Sequence, residues 1–176
     1  MTDIHKKLES ITNVAIIVVA VLFGTTMASK YFAVGPEIVK PQPQTIAPNT
    51  KFNLKEADWS TTDRTLVLAF STTCRFCIES AGFYKNLAAK VATRHDLKMM
   101  VVSPQPLDDV KKFFSEREIQ INDFVHAKLS DISVNGTPTL VLVDRDGLVK
   151  ESWVGRLPPD GEKELLSKLF DEQGGS

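Results

Sequence analysis

The feature that most restricts how this chain can fold is a strand-like run that passes within a few residues into a helix-like one, with the only two cysteines at the joint. Leu66-Val67-Leu68-Ala69-Phe70 is continuously apolar and is closed by Ser71-Thr72-Thr73, the pattern of a buried central strand. Cys74-Arg75-Phe76-Cys77 follows directly. Phe76, Ile78, Ala81, Phe83, Tyr84, Leu87, Ala88 and Val91 then give a broad apolar face, which predicts a helix from Cys74 to about Val91. Two thiols spaced i, i+3 at a helix start can close a disulfide and reopen it. The helix N-terminus lowers the pKa of the first thiol and makes it a usable nucleophile.

The remaining patterns extend this strand-helix alternation. Phe52-Asn53-Leu54 reads as a short edge strand, and Leu97 to Val102 as a second buried strand ended by Ser103-Pro104-Gln105-Pro106. Leu107 to Glu118 is amphipathic, with Leu107, Val110, Phe113 and Phe114 on its core side and Asp108 and Asp109 in its first turn. Between 119 and 134, Ile121, Phe124, Val125 and Leu129 allow one more short helix. Thr139 to Val143 is a third strand, Asp144-Arg145-Asp146-Gly147 a turn, and Leu148 to Val154 a returning strand alternating Val149, Glu151 and Trp153. Pro158-Pro159-Asp160 opens a last helix bearing Leu165, Leu166, Leu169 and Phe170. The order predicts an α/β sandwich, a central mixed sheet flanked by helices, over 49–171, with 172–176 as a disordered tail.

The N-terminal part is of another kind. Val14 to Phe23 is uninterruptedly apolar, and the charge-free stretch runs from Ile11 to Ser29, about the length a helix needs to cross a bilayer. We read 11–29 as a transmembrane signal anchor, with 1–10 and its Lys6 and Lys7 in the cytoplasm. A cleaved signal peptide is the alternative, since Thr26-Met27-Ala28 offers small residues at a cleavage site, and the product would then be secreted. Prolines 36, 41, 43 and 48 make 30–48 an extended linker. Either reading puts the domain on the periplasmic or extracytoplasmic side of the inner membrane. A formal net charge of −1 gives no basis for nucleic-acid binding.

In combination, three segments resemble the thioredoxin-fold proteins, and most of all the membrane-anchored TlpA/ResA-type thiol-disulfide oxidoreductases. They are the strand-Ser71-Thr72-Thr73-Cys74-Arg75-Phe76-Cys77-helix unit, Val134-Asn135-Gly136-Thr137-Pro138-Thr139-Leu140, and Leu142-Val143-Asp144-Arg145-Asp146-Gly147 followed by Gly155. The resemblance implies that Cys74 is the attacking sulfur and Cys77 the resolving one, and that the bond before Pro138 is cis. Thr137 and Pro138 would then position a substrate chain beside Cys74, with Phe76 as an apolar grip. Arg75 should lower the pKa of the Cys74 thiol further. The chain departs from thioredoxins in having Thr73 before the first cysteine, Arg-Phe between the two, and Leu68 where a buried acid would lie. Glu79 is the nearest carboxylate, and helical spacing places it facing solvent.

Other uses of the pair are open to test. Zinc needs about four ligands, and His95 and His126 are isolated from the cysteines in sequence. Haem attachment needs His after Cys77, where Ile78 stands. Cu(I) transfer suits a solvent-facing pair but lacks a neighbouring Met or His. A tethered binding module with a stapling disulfide is a further alternative. The redox reading implies protein thiol or disulfide substrates, a membrane or periplasmic electron donor or acceptor, no metal and no bound cofactor, because the cysteines themselves carry the two electrons. Family analogy suggests reduction of partner proteins, whereas a thiolate stabilised by Arg75 points towards oxidation.

Overall fold

The computed structural model describes residues 16–23 and 45–171. The boundaries expected near residues 10 and 29, most of the linker and the tail from 172 lie outside the described residues. Residues 16–23 are helical, and Ile16, Ile17, Val18, Val19, Val21, Leu22 and Phe23 are exposed. Among the described residues no helix is long and apolar enough to cross a membrane. The expected span, 11–29, continues on both sides of the described stretch.

The unit from 45 to 171 is built on five strands: β1 (Arg64–Ala69), β2 (Leu97–Ser103), β3 (Asp123–His126), β4 (Thr139–Asp144) and β5 (Val149–Val154). Their order in the sheet is β3-β2-β1-β4-β5. β1 pairs parallel with β2 and antiparallel with β4, so the sheet is mixed, as the sequence predicts. The helices are α1 (Arg75–Glu79), α2 (Ala81–Val91), α3 (Leu107–Glu116) and α4 (Pro159–Phe170).

Strand alternation divides the core in two. Leu66, Leu68 and Phe70 of the β1 segment face Tyr84 and Leu87 of α2, Phe113 and Phe114 of α3, and Leu165 and Leu169 of α4. Val67 and Ala69 face the other way, onto Phe52, Leu54, Ile132 and Val134. Phe70 is fully buried, with ring centroids 4.9 Å from both Phe113 and Phe114 and 6.5 Å from Tyr84. The chain joins this unit at Ile46, whose N–H donates to Ser152 Oγ at 2.8 Å.

Several local expectations are corrected. Residues 119–134 form no α-helix: Asp123–His126 adds β3 beside β2, and Leu129–Ile132 is a 3₁₀ turn. Only four residues long and partly exposed, this edge strand has too little alternation to be read from sequence. Phe52-Asn53-Leu54 is not a strand; Lys51 makes an isolated bridge to Leu148, while Phe52 and Leu54 are core residues. The helix expected from Cys74 to Val91 is broken at Ser80, whose hydroxyl donates to the Phe76 carbonyl at 2.8 Å. The third helix ends at Glu116, and Leu107 is only partly buried. In β5, Val149 and Trp153 have the same parity yet enter opposite cores. The register shift opposite Leu142/Val143 inserts an extra residue and turns the strand over.

Replacing Phe70 by alanine removes the ring shared by α2, α3 and the sheet. The expected cost is about 3–5 kcal/mol, read as a lower urea midpoint for the full-length chain.

Candidate active site

Sheet register assembles the site. Ala69, the last residue of β1, lies opposite Thr139, the first residue of β4, and beside Val102 near the end of β2. The residues after β1, those before β4 and those after β2 therefore meet at one end of the sheet. Each contributes. Gln105, after β2, accepts from the Thr72 N–H at 2.7 Å and the Thr72 hydroxyl at 3.1 Å, bracing the turn that leads into the cysteines. Gly136-Thr137-Pro138, before β4, carries the cis bond between Thr137 and Pro138 that the resemblance implies.

Cys74 is the N-cap of α1, not a residue within it, and its sulfur accepts from the Cys77 N–H at 3.4 Å. Its thiol donates to the Thr137 carbonyl at 3.1 Å, which brings the two sequence-predicted segments into contact. Both cysteines are free thiols; Cys74 is partly exposed and Cys77 fully buried. Pro138 is buried too, so on this side the partly exposed residues are Gly136 and Thr137. Phe76 projects outward and is 54% exposed.

The two thiols differ in acidity for identifiable reasons. Partial burial opposes ionisation of Cys74, but hydrogen bonding from the Thr137 side chain, from Cys77 and from the Phe76 N–H outweighs it and holds the thiol below its ordinary value. Burial dominates at Cys77 and, with the neighbouring Cys74 sulfur, pushes it from 9.0 up to about 12. Arg75, expected to lower the Cys74 pKa, is not among the causes of that shift. Its Nε donates to Glu79 Oε1 at 2.6 Å, and its side chain is 85% exposed. Glu79 is exposed, as expected, and its other oxygen accepts from Arg156 Nη1 at 2.6 Å. The missing acid beneath the pair is as expected: Leu68 is fully buried in the cluster that holds Cys77. Among the described residues the buried polar groups include no carboxylate.

Sequence reasoning passed over Gln105, Arg156 and Tyr84. Gln105 and Arg156 come from loops remote in sequence and join the site through sheet register, leaving no local signal. Tyr84 was legible only as an apolar helix residue. It packs in the cluster of Cys77; burial above all, then the charges of Cys77 and Cys74, raises the pKa of its phenol. His95 and His126 are exposed, and the His126 ring meets the Pro104 carbonyl rather than either cysteine. Among the described residues no three His, Cys, Asp or Glu side chains form a cluster able to hold a metal.

The cis bond at Thr137-Pro138, the N-cap cysteine it touches and the β3-β2-β1-β4-β5 sheet decide the architecture. This is a thioredoxin fold. Similar solved structures include the thioredoxin domain of a thiol-disulfide oxidoreductase from Bacteroides vulgatus, at 18% identity and TM-score 0.54, covering 70% of this chain and 98% of that one. A thiol-disulfide isomerase from Corynebacterium glutamicum is similar at 14% identity and TM-score 0.54, covering 75% and 99%. A thiol:disulfide interchange protein from Bacteroides sp. is similar at 18% identity and TM-score 0.53, covering 75% and 91%. No protein-family model and no curated protein matches the sequence. Within the thioredoxin fold, the cysteine pair occupies the end of the central strand, where three loops converge.

The thiol asymmetry predicts two readouts. Alkylation of the reduced full-length chain should occur at Cys74, with its rate rising at a lower pH than for free cysteine, while Cys77 stays unmodified under native conditions. The Cys77 pKa is higher folded than unfolded, so its stabilising contribution is present below pH 9.0 and is lost as pH rises towards about 12. Urea titrations across that window should show the reduced chain weakening while the Cys74–Cys77 disulfide form, which lacks this titration, weakens less.

Proposed function

We propose that this protein is a membrane-tethered, extracytoplasmic thiol-disulfide oxidoreductase that acts on protein disulfides or dithiols through Cys74 and Cys77. The observation that carries the reading is a partly exposed, acidified Cys74 thiol in contact with Thr137 and capping the helix that buries Cys77. Disulfide exchange needs those three things: an accessible thiolate, a second thiol one turn away, and a backbone surface on which a partner chain can lie.

The chemistry follows from the asymmetry. The Cys74 thiolate attacks the nearer sulfur of a partner disulfide, forming a mixed disulfide, and the farther sulfur leaves as a thiolate that takes a proton from solvent. Cys77 is held protonated mainly by burial and additionally by the Cys74 sulfur. Tying Cys74 up in the mixed disulfide removes that second influence, so Cys77 ionises more readily at the moment it is needed. Its sulfur then attacks Cys74, the bond to the partner breaks, and the second partner thiolate is protonated. The partner gains two electrons and two protons, and the cysteine pair becomes a disulfide. Run backwards, the same steps oxidise a dithiol. The pair is reset by a second dithiol- or disulfide-bearing redox protein in the membrane or periplasm, and no bound cofactor is required.

Pairing of Arg75 with Glu79 weakens the argument for an oxidant that rests on an unopposed positive charge beside the thiolate. The equilibrium potential of the pair sets the direction. A value near roughly −270 mV marks a reductant and one near roughly −120 mV an oxidant. Tethering is supported by the charge-free run from Ile11 to Ser29 and by the apolar side chains of 16–23, which are exposed in water and suited to lipid.

Cys74→Ser should abolish turnover of a model disulfide or dithiol protein, and unchanged turnover would refute the exchange reading. Tight Cu(I) binding that needs both cysteines, without exchange, would favour metal transfer instead. On fractionation the full-length chain should remain with membranes through carbonate washing, and extracytoplasmic protease should reach its domain. Release into the soluble fraction would contradict the tether.

A further inference from the structure

Within residues 45–171, the large hydrophobic side chains left exposed are Phe76, at 54%, and Ile78, at 42%. Both stand on α1, within four residues of the attacking sulfur. The other large apolar side chains of 45–171 are buried or partly covered, so two exposed ones on one short helix form a local concentration of apolar surface. At about 100° per residue, the inward direction of Cys77 puts Arg75 and Glu79 on the outer ridge of α1, with Phe76 and Ile78 on its two flanks.

The same ridge carries charge. Arg75 and Arg156 both bond Glu79, each at 2.6 Å, so two guanidinium groups share one carboxylate and the cluster is left with one positive charge. Each guanidinium has five N–H donors. Arg75 uses Nε on Glu79 and Arg156 uses Nη1, and the side chains are 85% and 54% exposed, so further donors face solvent. Arg156 is fixed close to the reaction centre from two directions. Its guanidinium is bonded to α1, and the Gly155 N–H before it donates to the Pro138 carbonyl at 2.7 Å. Apolar flanks, a cationic ridge and the reactive sulfur therefore belong to one surface.

We propose that the outer face of α1, with Arg156, is a docking surface for a protein partner that sets an apolar side chain and a carboxylate beside its reactive cysteine. The inference rests on the exchange reading and adds the partner chemistry it selects. Phe76 and Ile78 offer apolar surface on either side of the ridge, and the partner's apolar side chain packs on one of these two flanks. The spare N–H groups of Arg75 and Arg156 bind the carboxylate, a pairing that a planar guanidinium makes with good geometry. A partner carrying lysine at the same place meets the net positive charge and is disfavoured.

The test compares two disulfide-bonded peptides, identical except for Glu or Lys next to the cysteine and each with a neighbouring leucine, as substrates for the reduced full-length chain. Each rate is divided by that on neutral hydroxyethyl disulfide, which has neither feature. The Glu peptide should react about two- to fivefold faster than the Lys peptide, as expected for a solvent-exposed ion pair, and the gap should close with added salt. Arg156→Gln should shrink the ratio, Arg156→Lys should retain much of it, and either Ile78→Ser or Phe76→Ser should slow both peptides relative to the small disulfide. Equal rates on the two peptides, or a ratio indifferent to salt and to Arg156→Gln, would overturn the docking proposal while leaving exchange intact. No reaction even with hydroxyethyl disulfide would overturn exchange, and the docking proposal with it.

Discussion

The site depends on the antiparallel pairing of β1 with β4. Because Ala69 lies opposite Thr139, the residues that leave β1 and those that enter β4 occupy the same end of the sheet. Cys74 and Thr137, 63 positions apart, are thereby brought to a 3.1 Å contact. Parallel pairing with β2 adds Gln105 from the third side. β1 is an inner strand with both faces buried, so its end is held by the whole core. Packing energy spent on Leu66, Leu68 and Phe70 fixes where a sulfur sits.

That placement makes two chemically identical side chains unequal. Capping α1 gives Cys74 hydrogen-bond donors for a thiolate while leaving it partly open to solvent. One turn on, Cys77 points into the apolar cluster with Leu68 and Tyr84, and its ionisation is suppressed. The difference in exposure and acidity between the two thiols thus follows from burial and capping. The charged residues nearby serve another end. Glu79 ties α1 to the loop after β5 through Arg156 and also pairs with Arg75.

Much of this was legible beforehand because it was written in continuous patterns. Leu66 to Phe70 and Leu97 to Val102 are short, largely apolar runs bounded by polar or turn residues, the pattern of buried strands, and the Cys74 motif and Thr137-Pro138 stand at fixed places relative to strands. What escaped the sequence depends on partners remote along the chain. Asp123–His126 is a strand because β2 offers it an edge, and its own residues carry little alternation. The turning over of β5 comes from a register shift against β4 and leaves no mark on the spacing of Val149 and Trp153. Arg75 could be read as a neighbour of Cys74, but its pairing with Glu79, and that of Glu79 with Arg156, requires the three-dimensional fold. At Ser80 the difference is local: its hydroxyl bonds the Phe76 carbonyl one turn back, a competition with the helical pattern that apolar spacing does not reveal.

The central claim is that the fold assigns attack to Cys74 and resolution to Cys77. The most direct measurement is peptide mapping, by mass spectrometry, of the Cys77→Ser chain after reaction with a disulfide-bonded protein. A stable mixed disulfide localised to Cys74 is the predicted result. Absence of any adduct at Cys74, under conditions where the unaltered chain exchanges with the same protein, would contradict it.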